Sequence, residues 1–244
     1  MASITAIILT RNEKDFIEDC IRSIQKITER IVVVDSFSED NTVELAKNMG
    51  AEVYQHEFFN YSKQYKYAVE IANVKTKWIL RIDADERLTS ESAVELEQLC
   101  NDNENTNVTG IVLRFYNMFL AKPMYHGGMY PWKKLSVYKT GIGDIEDRNM
   151  DEHIILSSGT VIETKKDSKH LAYRGLTFFT NKSNWYSTRE AMDYFEQKKV
   201  SKKNANFKTR IKMNIYYKLP LGLRSWLYYA YRYYCLLYTS PSPR

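Results

Sequence analysis

Three cysteines, Cys20, Cys100 and Cys235, are the only thiols in 244 residues. They form no CxxC pair, and no Cys/His cluster has zinc-site spacing. Thiols this sparse suit a reducing compartment, so a cytoplasmic location is expected. No run of 18 apolar residues occurs, so nothing reads as an ordinary transmembrane helix. The opening MASITAIILTRNE has no basic leader, and its apolar part is too short for a signal peptide. GxGxxG is absent, which argues against a nicotinamide oxidoreductase. ILTRNE also lacks the glycine-rich phosphate loop that a sugar-nucleotide nucleotidyltransferase would want. There is no internal repeat, and no nucleic-acid-binding motif accompanies the basic residues.

What is present is ordinary for a globular chain, with 44% hydrophobic and 27% charged residues. Aromatics are high at 14%, driven by 19 tyrosines. The net charge of +5 suits an anionic ligand or surface.

The first half alternates strands and helices. Apolar runs at 4–9, 30–35 and 51–54, and the segment KWILRID, predict four strands. Helical spacing through Phe16–Ile27, Val43–Ala46, 62–73 and 90–100 fills the intervals. Ser and Asp in the turn 36–41 are candidate caps, and Gly50 stands where a helix-ending glycine belongs. Such alternation means βαβ units and a parallel sheet, with the loops after the strands on one edge. Ligands bind at that edge. Thr10–Glu13, Asp35–Ser38 and Asp83–Glu86 are therefore expected to line one crevice.

After the polar loop 101–107 the pattern changes. VTGIVLRFYNMFL (108–120) and WKKLSVYK (132–139) read as longer strands, with turns at Gly127-Gly128 and Gly141–Gly143. This half is expected to be mixed, and from about residue 181 the chain turns helical and basic.

WILRIDADERL (78–88) places Asp83, Asp85 and Glu86 within four positions, where their charges repel. If the strand runs to residue 85, Asp83 and Asp85 face one side and can address one ligand together. A solvated acidic loop capping the next helix is the competing reading.

The ordered set ILTRNE, VVVDSFSEDNTVELA and RIDADER resembles the family 2 glycosyltransferases of the GT-A fold. YPWKKLSVYK, MDEHI and LTFFTNKSNWYSTREAMDYFE resemble the bacterial branch that includes lipopolysaccharide-core glucosyltransferases. The resemblance covers roughly residues 3–234. It implies an α/β, Rossmann-like, mostly parallel central sheet flanked by helices. Residues 1–115 would be the nucleotide-sugar-binding half, 116–180 the acceptor and catalytic-base half, and 181–234 a helical basic and aromatic extension.

The resemblance also implies roles. Thr10, Arg11, Asn12 and Glu13 would hold base and ribose, with Asp35 accepting from the uracil N–H and Ser36 beside it. Asp83, Ala84 and Asp85 would form the DxD element, with Asp83 and Asp85 at the metal and Asp85 its direct ligand. Gln64 would touch the donor. Relatives carry Gln-Arg-Asn or Gln-Phe-Asn where this chain has Gln64-Tyr65-Lys66, so Lys66 would meet a phosphate instead. Glu152, with Asp151 beside it, would be the base, and His153 a second metal contact or an orienting group.

The chemistry wants such groups. A departing nucleoside diphosphate gains charge, which Mn²⁺ or Mg²⁺ neutralises while taking one or two protein carboxylates. A carboxylate opposite the leaving group takes the acceptor's proton, which implies inversion in a single displacement through an oxocarbenium-like state. The expected reaction moves a hexose, UDP-linked, to a cell-envelope saccharide or glycolipid. A catalytically inactive saccharide-binding module is the alternative from another class.

Lys198–Lys218 holds eight Lys/Arg and no acid, and LPLGLRSWLYYAYRYY (219–234) puts Trp226, Tyr229 and Tyr233 near one face. Peripheral contact with the anionic inner face of the cytoplasmic membrane is one expectation. A docking face for further helices is the other. CLLYTSPSPR (235–244) matches the translation of a sequencing-library adapter and is expected to be an artefact replacing the native C-terminus.

Overall fold

The computed structural model describes residues 2–119, 122–125, 130–146, 153–171, 175–197, 219–231 and 233–234. The chain forms two compact units, Met1–Pro123 with Pro131–Ala172, and Met124–Tyr130 with Tyr173–Arg244.

The first unit begins β1 (Ile4–Thr10), α1 (Ile17–Ile24), β2 (Arg30–Asp35), α2 (Thr42–Asn48), β3 (Glu52–Gln55), α3 (Tyr61–Ala72) and β4 (Trp78–Arg81). It continues with β5 (Glu86–Arg87), α4 (Ser90–Asp102), β6 (Val108–Phe119), β7 (Lys122–Met124) and β8 (Trp132–Lys139). β9 (Gly143–Ile145), β10 (Ile154–Leu156) and β11 (Thr160–His170) complete it. One large sheet runs β3-β2-β1-β4-β8-β6-β11-β5, with β7 beside β6, and β9 pairs with β10 apart from it. β3, β2, β1 and β4 are mutually parallel. β8 then enters antiparallel to both β4 and β6, so the sheet is mixed from there on.

Alternation along the strands builds two cores, one on each face. Ile4, Ala6 and Ile8 of β1, Val33 of β2 and Leu80 of β4 meet Ile17, Cys20, Ile21 and Ile24 of α1. Their neighbours Ile7, Val32, Val34 and Ile79 face the other way, onto Tyr65, Ala68 and Ala72 of α3. These strands are buried on both faces, which is why they read as unbroken apolar runs.

Local chemistry ends the helices. Asn60 caps α3 by accepting from the Lys63 N–H at 2.8 Å. Thr89 and Ser92 form a reciprocal capping box at α4. Gly50, at φ +84°, closes α2, with Gly50 N–H on the Lys47 carbonyl and Ala51 N–H on that of Ala46. Of the expected caps of α2, Asp40, the residue before the N-cap position Asn41, accepts from the Thr42 N–H at 3.0 Å.

Cys20 and Cys100 are buried in the core, and burial pushes both thiols up, Cys100 to about 12. The thiolate is the reactive form. Iodoacetamide at about pH 8 should therefore leave both unlabelled in the native chain and label both after unfolding. Mass spectrometry reads the result, and rapid native labelling of either would contradict this packing.

In the second unit the described helices are α5 (Leu176–Gln197) and α6 (Leu221–Ala230). Helix α5 starts ahead of the expected residue 181, directly after Gly175 at φ +103°. Trp226, Tyr228 and Tyr229 on α6 are more than half exposed, and the Tyr229 ring stacks on that of Tyr233 at 5.4 Å. The basic stretch 198–218, the Gly127-Gly128 turn and Cys235 lie outside the described residues.

Candidate active site

The parallel order β2-β1-β4 brings the ends of these strands to one sheet edge: Thr10 pairs with Asp35, and β4 ends with Arg81 opposite Ile7, the Ile82 N–H binding the Ile7 carbonyl. Adjacent strands lie about 4.8 Å apart and rise about 3.3 Å per residue, so the end of β4, opposite Ile7, is roughly 14 Å from the end of β2, opposite Thr10.

At the β2 end, Asp35 is completely buried. Its Oδ1 accepts from the Thr10 hydroxyl at 3.0 Å and from the Ser38 hydroxyl, and its Oδ2 accepts from the Ser38 N–H at 2.8 Å. The Asn12 N–H donates to Ser38 Oγ at 2.8 Å, and Asn12 Oδ1 accepts from the Glu39 N–H at 2.9 Å. Asn12 takes the left-handed backbone, φ 56°, which asparagine tolerates well. The Glu13 N–H donates to Thr42 Oγ1 at 2.8 Å. These bonds lace the loop after β1 to the loop after β2, while Arg11 projects into solvent.

Gln64 supports the same corner from α3. Its amide donates to Ser36 Oγ at 3.1 Å, and its carbonyl oxygen lies 2.8 Å from His56 Nδ1. The expected donor contacts at Asp35 and Gln64 are thus already engaged within the chain. Lys66 is exposed, 4.0 Å from Asp144, beside a shallow cleft of about 180 Å³ that Tyr65 and Tyr138 also line.

At the β4 end the expectation of a continuous strand fails. Strand β4 stops at Arg81, and residues 83–86 turn, with the Glu86 N–H on the Asp83 carbonyl at 2.9 Å. The Glu86 side chain holds that turn by accepting from the Asp83 N–H at 3.0 Å, an anchor unavailable to a strand. The two aspartates accordingly have different neighbours. Asp83 meets the Lys134 ammonium at 2.7 Å, and Lys134 also meets Glu86 at 2.7 Å. Asp85 lies beside His170, with Oδ2 and Nε2 3.7 Å apart. Asp83, expected at the metal, is engaged in this structure by the lysine ammonium. Ala84 between them is buried.

The electrostatics follow. Burial alone would push the Asp83 carboxyl up, but Lys134 and Arg81 outweigh it and hold it down to about 2. Burial pushes the Glu86 carboxyl up to about 7 against the pull of Lys134. Burial would lower Lys134, yet its two carboxylate partners raise it.

His170 carries no signal in the sequence pattern. It arrives because β11 pairs antiparallel with β5, setting His170 opposite Glu86. Its Nδ1 is 2.7 Å from Asn117 Oδ1, a contact that orients the ring and directs Nε2 toward Asp85. Trp132 packs on the ring at 4.8 Å. The His153 side chain is exposed, and its carbonyl accepts from the Glu146 N–H. Asp151 and Glu152 lie outside the described residues.

Among the described residues no three or more His, Cys, Asp or Glu side chains gather as an ion cage. Asp85 and His170 nevertheless fit a dication that keeps water and phosphate in its shell: one hard oxygen, one oriented nitrogen, close enough to share an ion.

A sheet of mainly parallel strands flanked by helices, with an acidic turn at the edge where its parallel strands end, is the GT-A fold. The profile of Glycosyl transferase family 2 matches residues 5–155, more than half of the chain, and the chain belongs to that family. It is 27% identical over 221 residues to an uncharacterized glycosyltransferase of Rickettsia prowazekii, covering 87% of this chain and 74% of the relative. A second, from Rickettsia typhi, is 26% identical over 242 residues, 95% and 80% of the two chains. Mannosyl-3-phosphoglycerate synthase from Rubrobacter xylanophilus has the same fold, with a TM-score of 0.50 at 16% identity over 83% of this chain and 77% of that one.

Proposed function

We propose that this glycosyltransferase moves a hexose from a UDP-linked donor to a cell-envelope saccharide or glycolipid, with inversion, in a single displacement. The observation that carries the reading is the pairing of two corners on one sheet edge: the Thr10–Asp35–Ser38 loop lock and the Asp85–His170 pair. The first is a pocket for base and ribose, framed by Asn12, Glu13 and Ser36. Asp35 reads the uracil N–H there when the Ser38 hydroxyl yields its place. Gln64 acts through Ser36.

Asp85 and His170 would hold Mn²⁺ or Mg²⁺, which supplies countercharge to the departing diphosphate. Glu152 takes the acceptor hydroxyl's proton, a role that rests on the resemblance of MDEHI. The lipopolysaccharide-core acceptor class rests likewise on YPWKKLSVYK and the start of α5.

A thermal-shift screen of nucleotide sugars with Mn²⁺ tests the donor. At a hundredfold excess over Kd, binding stabilises by about 2.7 kcal/mol, or about 5–10 °C in a chain of this size. A UDP-hexose should give that shift. A shift with GDP- or CMP-sugars alone would contradict the UDP reading.

No helix among the described residues is long and apolar enough to cross a membrane. We propose instead that the exposed aromatics of α6, next to a sequence with no acid between residues 197 and 234, rest on an anionic lipid surface. The chain should co-sediment with phosphatidylserine vesicles at low salt and release at about 0.5 M NaCl. Equal binding to neutral vesicles, or indifference to salt, would count against it.

A further inference from the structure

The carboxylates of residues 83–86 need a countercharge, and the chain carries one of its own. Strand β8 runs antiparallel to β4, with Leu80 opposite Val137, so its N-terminal end passes the acidic turn. Successive strand residues face opposite sides. Lys133 therefore reaches Glu163 at 2.8 Å on one face, while Lys134 turns to the other. There it bonds Asp83 and Glu86 together, and Glu86 closes the ring through the Asp83 N–H. Glu86 is wholly buried and Lys134 nearly so. Asp85, two residues from Asp83, sits instead at His170.

We propose that Lys134 is a positioning residue whose ammonium occupies the cation place at Asp83 and Glu86, confining a divalent ion to the Asp85–His170 end of the turn. This rests on the metal-dependent reading above. A dication at Asp83 would face the lysine's like charge at short range in a partly buried setting, where repulsion is strong. Asp83 is thereby kept off the metal and fixed in one orientation.

The test uses Mn²⁺ alone, without nucleotide, and counts free ion by electron paramagnetic resonance. Lys134→Met frees two carboxylates and should bind Mn²⁺ at least about tenfold more tightly than the wild type. Lys134→Met combined with Asp85→Ala should keep that tight binding, while Asp85→Ala alone should bind almost none. A merely structural lysine would create no such site. Unchanged affinity in Lys134→Met, or loss of binding in the double variant, overturns the proposal. Should Lys134→Met unfold, because buried carboxylates are left uncompensated, millimolar Mn²⁺ must restore its fold by circular dichroism. Failure to do so also overturns it. Failure of the donor reading appears separately, as a wild type that does not bind UDP with Mn²⁺.

Discussion

Glu152→Gln should retain wild-type affinity for the donor and lose transfer by a factor of about 10²–10⁴, the usual contribution of a positioned base. The carboxamide matches the carboxylate in size and cannot accept the acceptor's proton. In the proposed reading donor affinity is set elsewhere, by the Thr10–Asp35–Ser38 corner and the Asp85–His170 pair, so it should not move. Isothermal titration with UDP measures the first quantity, and UDP release in the presence of acceptor measures the second. Near-normal turnover would move the base to another residue. Loss of both together would make Glu152 part of the donor site. Asp151→Asn is the companion variant, expected to keep most of its activity.

Asp85→Ala should remove the Mn²⁺-linked part of UDP binding, weakening affinity by about a hundredfold or more. Lost outer-shell partners of metal sites already cost 10–100-fold, and a direct ligand should cost no less. In the proposed site its carboxylate would be the hard oxygen of the pair, leaving after the substitution the one nitrogen of His170, which Asn117 orients. What remains after the substitution should equal the wild-type affinity measured in chelator. Undiminished Mn²⁺-linked affinity, read by calorimetry, would contradict the assignment. Asp83→Asn should behave differently, because Asp83 is bonded to Lys134: it should loosen the turn and lower thermal stability before it changes metal affinity.

Much of the first half could be read from the sequence because its signals are local. Two-sided burial of β1 and β2 writes itself as apolar runs, and β8 matches WKKLSVYK residue for residue. The convergence of three polar loops on one edge follows from parallel topology alone. The errors fall where distant residues decide. The alternation of Trp78–Asp83 continues past Arg81, but the buried Glu86 pulls the backbone into a turn, and Lys134, 51 residues from Asp83, helps make that burial tolerable. His170 reaches Asp85 through a two-residue pairing with β5 that leaves no periodic trace. The acidic triplet's repulsion, legible in the sequence as a need for a cation, is met partly by a lysine. Charge demand can be read from a motif, but the atom that answers it depends on strand register.

Calorimetric titration of UDP into the wild-type chain, with Mn²⁺ and again in chelator, tests the central claim most directly. The account predicts tight binding with the ion, a loss of at least tenfold without it, and no difference between the two conditions in Asp85→Ala. Equal affinity of the wild type in both conditions would contradict it.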